Sequence, residues 1–113
     1  MRKFAAVWIA ALVVSGPGLA AERNVYPTVA IADYVFGCMA SNGQTREALE
    51  RCSCSIDIIA SILPHDKYVE AETVMRLRRV AGEKSTIFRT APAMRAAVAN
   101  LKRAQAEAEI RCF

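Results

Sequence analysis

The chain is poor in the residues that most often announce an activity. It has one histidine, His65, so a centre built from several histidines is excluded. Its five glycines and four prolines are scattered. No glycine-rich phosphate loop and no dinucleotide fingerprint can be assembled from them, and no C-x-x-C-H haem-attachment motif is present. There is no C-x-x-C pair, which a thiol-disulfide oxidoreductase places at a helix start to stabilise its thiolate. No aromatic residues alternate with the arginines, as a stacking platform for single-stranded nucleic acid requires. No stretch alternates apolar and polar residues with a period of two, so strands are not expected. The longest apolar run, Phe4 to Val14, has eleven residues, short of the about 20 that cross a hydrocarbon core. Internal repeats, low-complexity tracts and linkers are also absent.

What is present begins with an export signal. Arg2 and Lys3 precede the run Phe4–Val14, and Ser15-Gly16-Pro17-Gly18 breaks any helix. Gly18-Leu19-Ala20 supplies the small residues that a signal peptidase reads, which places cleavage after Ala20. The expected domains are a signal peptide over 1–20 and one helical domain over 21–113. The short basic signal points to the periplasm first and the extracellular medium second. Once Arg2 and Lys3 leave, the chain's formal charge of +4 becomes +2. That charge is uneven. Residues 22–70 carry seven acids and four bases, and residues 71–113 carry four acids and nine bases.

Helical periodicity dominates the remainder. The spacing predicts a helix from about Pro27 to Ser41, started by Pro27 and stopped by Asn42-Gly43, which tolerate a left-handed cap. A second runs from about Thr45 to Leu63. Thr45 is its N-cap, and Leu49, Cys52, Ile56, Ile59 and Leu63 form its buried stripe. Cys54, Ile58 and Ile62 make an adjacent apolar row, so this helix should touch more than one neighbour. A third helix spans about Asp66 to Ala81, with Asp66 as cap and an inner face of Tyr68, Ala71, Met75 and Leu77 or Arg78. Residues 82–90 read as a connector whose Ile87 and Phe88 fold back onto the core. A fourth helix runs from about Ala91 to Ile110, capped by Thr90, with Met94, Val98, Leu101, Gln105, Ala108 and Cys112 along one face. The fold class is therefore all-α: a small bundle of about four helices.

Four cysteines, Cys38, Cys52, Cys54 and Cys112, make an even set in a short exported domain, the usual mark of two disulfides. Cys52 and Cys54 are two residues apart, roughly 200° around a helix. They cannot readily bond to each other, but each can reach a different neighbouring helix. Cys38–Cys52 with Cys54–Cys112 is the preferred pairing, because Cys52 lies nearer the Asn42-Gly43 turn. Cys38–Cys54 with Cys52–Cys112 stays open. Cys112 reads as a clip for the chain end.

The stretch Tyr34–Glu72, YVFGCMASNGQTREALERCSCSIDIIASILPHDKYVEAE, resembles a recurrent type of small exported bacterial helical protein. That type has one cysteine near the end of a first helix, a C-x-C about a dozen residues later and an acid-containing proline-tyrosine segment. The type is mostly of unassigned function, so it carries over no catalytic residue. In general shape the chain also resembles small periplasmic chaperones of the acid-stress kind, although those carry a single disulfide.

The sequence assigns no catalytic residue, no metal ligand and no cofactor. A serine-histidine-aspartate set of Ser61, His65 and Asp57 lacks any nucleophile elbow. The leading expectation is a non-enzymatic periplasmic accessory or binding protein with an unknown, acidic partner, binding neither nucleic acid nor membrane after signal cleavage. Arg76, Arg78, Arg79 and Arg95 are the candidate docking residues, with Arg89, Lys102 and Arg103 on the same half of the chain; the plainer reading of this basic half is that arginines on outer helix faces keep an alanine-rich protein soluble. One alternative is a copper chaperone that uses reduced Cys52 and Cys54 as soft ligands. Others are an acid-stress chaperone and an accessory of a periplasmic quinoprotein dehydrogenase system.

Overall fold

The computed structural model describes residues 25–80, 82 and 85–113. The expected signal peptide and its cleavage point lie outside the described residues. Five helices follow one another, and no strand occurs among the described residues. They are α1 (Thr28–Asn42), α2 (Arg46–Ile62), α3 (His65–Val80), α4 (Ser85–Thr90) and α5 (Pro92–Cys112).

Local chemistry sets the boundaries. The Pro27 carbonyl accepts from the N–H groups of Ala30 and Ile31 and opens α1. Gly43 closes it at φ 104°, its N–H donating to the Met39 carbonyl, a conformation that costs little only for glycine. Thr45 caps α2: its Oγ1 accepts from the Ala48 N–H at 3.1 Å, satisfying one of the orphan donors of the first turn. Pro64 forces Leu63 into extended backbone and ends α2.

α2 packs against α1 and α5, and α5 in turn packs against α2, α3 and α4. The centre of the core is Ile56, Ile59 and Leu63 of the α2 segment against Leu101, Ala104 and Ala108 of α5, with Ala71 of α3 beside them. Three fully buried alanines let these helices approach closely. Tyr26 completes the core from outside the helices. Its hydroxyl donates to the Leu63 carbonyl at 2.6 Å, pairing a carbonyl that the end of α2 would otherwise leave open. Its ring meets those of His65 and Tyr68 at 5.0 and 5.2 Å between centroids.

The two disulfides join Cys38 to Cys52 and Cys54 to Cys112. The first ties α1 to α2 and the second ties the end of α5 to α2. The two sulfurs leave α2 on different sides, which is how consecutive staples reach both neighbours.

Three expectations need correction. The connector over 82–90 contains α4, so the described residues form five helices rather than about four. Its Ile87 is exposed, and only Phe88 is half-buried. Thr90 does not cap α5. It ends α4, where its Oγ1 donates to the Thr86 carbonyl, and Ala91 takes the cap position. α3 starts at His65, so Asp66 sits in the first turn, and Val74, left unplaced by the pattern, is buried.

Candidate functional site

α3, α4 and α5 meet around an open cleft of about 300 Å³ lined by Arg78, Arg89, Arg95, Val98, Ala99 and Lys102. Helical geometry explains the composition. Arg95, Ala99 and Lys102 recur at spacings of four and three and share one face of α5. Val98, beside them, is buried and forms the apolar floor. Arg89 arrives on α4. Arg78 arrives from α3, and its Nε donates to the Phe88 carbonyl at 2.7 Å. That bond pins α4 to α3 and holds Arg89 over the cleft.

Four cationic side chains therefore surround one concavity that no carboxylate among the described residues lines. None of the four forms an ion pair among the described residues. Four bases elsewhere are neutralised within their own helices, whereas Arg76, Arg79 and Arg103 also form no ion pair among the described residues but do not line the cleft. Arg46 pairs with Glu50, Arg51 with Glu47, Lys67 with Glu70 and Arg111 with Glu107. Exposed pairs of this sort contribute little to stability, but they cancel local charge. The cleft retains its charge.

Of the arginines singled out from sequence, Arg78 and Arg95 line this cleft. Arg76 and Arg79 are exposed on α3 and do not. Arg89 and Lys102 complete the set. Arg103 instead donates to Asn100 Oδ1.

A second cleft, of about 370 Å³, opens in the gap between α1 and the α3–α5 pair. Its charge is opposite. Asp33, Glu72 and Glu109 line it, with Tyr34, Ser55, Tyr68, Gln105 and Phe113, and no basic residue among the described residues does. None of the three carboxylates is ion-paired among the described residues. At its base the hydroxyls of Tyr34 and buried Ser55 lie 2.8 Å apart and share a hydrogen bond. Burial pushes the Tyr68 hydroxyl well above the ordinary tyrosine range, and Glu72, the other two tyrosines and Asp33 push the same way. Tyr68 therefore remains a neutral donor. Sequence reasoning did not find this cleft, because its three acids lie on three different helices.

The remaining candidates are not assembled into sites. All four cysteines are in disulfides, so neither sulfur of Cys52-Ser53-Cys54 is a thiolate in this state. Among the described residues no group of three or more His, Cys, Asp or Glu is placed to hold a metal ion. Ser61 Oγ donates to the Ile58 carbonyl, and the His65 ring lies against Tyr26 and Tyr68. No helix among the described residues is long and apolar enough to cross a membrane.

Comparison with protein-family models, with curated proteins and with solved structures found no match. What stands is a small all-helical protein with two disulfides, bonds that persist in an oxidising, non-cytosolic environment.

Proposed function

We propose that the protein is a non-enzymatic accessory protein of the bacterial periplasm that docks an acidic partner in the cleft between α3, α4 and α5. The observation that carries this reading is the convergence of Arg78, Arg89, Arg95 and Lys102 on one concavity, with no compensating carboxylate among the described residues. Unpaired charges of one sign attract and orient an oppositely charged surface, and they act chiefly on association rate and specificity. The disulfides and the basic, short leader support export. The acidic partner segment supplies carboxylates, which the arginine forks can bind in a bidentate manner.

A fluorescent oligo-glutamate peptide tests the reading. Double charge reversal, Arg95→Glu with Lys102→Glu, should weaken its binding at least tenfold and leave the helical circular dichroism unchanged. Reversing Arg76 and Arg79 instead should have a much smaller effect, because neither lines the cleft. Association should slow as salt rises, since exposed charges are screened beyond ~8 Å at physiological ionic strength. Equal loss in both double variants would reduce the arginines to a diffuse solubilising charge. Full binding by the Arg95/Lys102 variant would refute the site.

A further inference from the structure

We propose that the second cleft is a binding site for a small organic cation, an aliphatic amine carrying one or two ammonium groups. This inference does not rest on the basic cleft, which lies in the α3–α4–α5 region.

The starting point is Gly37. It lies in the interior of α1, with a negative φ that any residue adopts. Glycine there destabilises a helix relative to alanine. Neither of the usual structural reasons applies: no turn needs it, and a Cβ built at this position meets nothing within 4 Å. The space that a side chain would fill is open, and it forms part of the wall of the 370 Å³ cleft. A glycine that fold and packing do not require, facing a concavity, is what close approach of a ligand calls for.

The walls give the chemistry of that ligand. Asp33, Glu72 and Glu109 come from α1, α3 and α5 and surround the opening. Among the described residues no lysine, arginine or histidine lines it to neutralise them. The rings of Tyr34, Tyr68 and Phe113 also line it, and aromatic faces attract ammonium groups. Neutral acceptors are at hand. Asn42 donates from Nδ2 to the Cys38 carbonyl, which leaves its Oδ1 for a ligand, and Gln105 has an amide oxygen. An anion would meet three carboxylates, and a neutral apolar molecule would desolvate them without compensation. A protonated amine satisfies both the charges and the rings. The volume is within the range of small-molecule sites, and the rings of Tyr34 and Tyr68 give the alkyl chain apolar surface to lie against.

Calorimetric titration of the oxidised protein with 1,4-diaminobutane, at low salt and neutral pH, tests the assignment. The diamine should bind, and 1,4-butanediol, of equal chain length but neutral, should bind at least tenfold more weakly. Glu72→Gln with Glu109→Gln should weaken the diamine at least tenfold. Gly37→Leu should also abolish binding by filling the wall, while its melting temperature stays at or above that of the wild type. That last pair of readouts separates a blocked site from an unfolded protein. Equal binding of diol and diamine, no heat with the diamine at millimolar concentration, or undiminished binding by the folded Gly37→Leu variant would each overturn the proposal.

Discussion

Removing the Cys54–Cys112 disulfide should cost about 4 kcal/mol of stability without changing the native helix content. Cys54 and Cys112 are 58 residues apart, and Cys38 and Cys52 are 14 apart. In the loop-entropy treatment a crosslink restricts the unfolded chain by an amount that grows with the logarithm of the closed loop. At 25 °C this gives ~4 kcal/mol for the long loop and ~3 kcal/mol for the short one. The two loops occupy separate stretches of chain, 38–52 and 54–112, so the terms add to about 7 kcal/mol. A domain of this class has a total stability of about 5–15 kcal/mol. The two crosslinks therefore account for a large share of the difference between folded and unfolded protein. The double variant Cys54→Ser, Cys112→Ser is the cleaner perturbation, because both sites are half-buried and a serine there is not stranded in apolar surroundings. Cys52 is completely buried, so its replacement would add a packing loss to the loop term. In the native state α5 stays docked through Leu101, Ala104 and Ala108, each fully buried, and far-ultraviolet circular dichroism should be unchanged. Urea unfolding under non-reducing conditions is the assay. The midpoint should fall, and the slope should rise, because an unconstrained unfolded chain exposes more surface. A loss below about 1 kcal/mol would refute the reasoning, since the loop term alone exceeds it severalfold.

Two further outcomes follow from single contacts. Burial, with a smaller push from Asp66, raises the Tyr26 hydroxyl from 10.0 to about 12, so between pH 10 and 12 the unfolded chain releases a proton that the native chain retains. The native state then binds more protons, and stability falls as pH rises through that window; alkaline urea titrations should show the fall, and Tyr26→Phe should lessen it, leaving the part that raised Tyr68 contributes, while costing about 1 kcal/mol at neutral pH for the lost bond to the Leu63 carbonyl. Arg78→Met should release α4 from the Phe88 carbonyl and weaken oligo-glutamate binding, with amide exchange across residues 85–90 speeding up while α2 and the core of α5 stay protected; unchanged exchange in α4 would show that this bond does not hold it.

Much of the fold was legible because each long helix carries its own punctuation. Thr45, Asn42-Gly43, Pro64 and Pro92 mark ends through backbone chemistry that acts within a few residues. The stripe Cys52, Ile56, Ile59 is a face that only burial explains. α4 was not legible. Six residues hold no apolar period long enough to read, and what keeps them helical and in place includes the Arg78–Phe88 bond, which joins positions ten apart. The same limit governs the clefts. Charge excess after residue 70 shows on a count, but a count cannot say which arginines share a concavity. Arg76, Arg78 and Arg79 are near neighbours in sequence, yet roughly 200° and 100° of helix rotation separate Arg78 from the other two. Only Arg78 turns toward α4 and α5. Asp33, Glu72 and Glu109 are still harder to see, because nothing local distinguishes them from acids that pair along a helix.

The two clefts differ in what holds them together. The basic one is bounded by α3, α4 and α5, which no disulfide joins to one another. It depends on Val98 in the floor and on the bond from Arg78, that is, on packing and one hydrogen bond from a charged donor. The acidic one has Cys38 in its wall and Phe113, beside Cys112, at its edge. Its walls are therefore placed by both crosslinks, through α2, which sits between α1 and α5 because Cys52 and Cys54 leave it on different sides. This is the structural consequence of the Cys-Ser-Cys spacing. A spacing of one turn would have directed both bonds to one neighbour and left either α1 or the end of α5 untied. With a spacing of two, a single helix fixes the positions of both, and the gap between α1 and α3 becomes a defined feature of the fold rather than a fluctuating one. α1 in particular needs the tie. None of its own residues is buried, and its outward Val29 and Phe36 remain largely exposed, so apolar packing alone holds it less firmly than it holds α2 or α5.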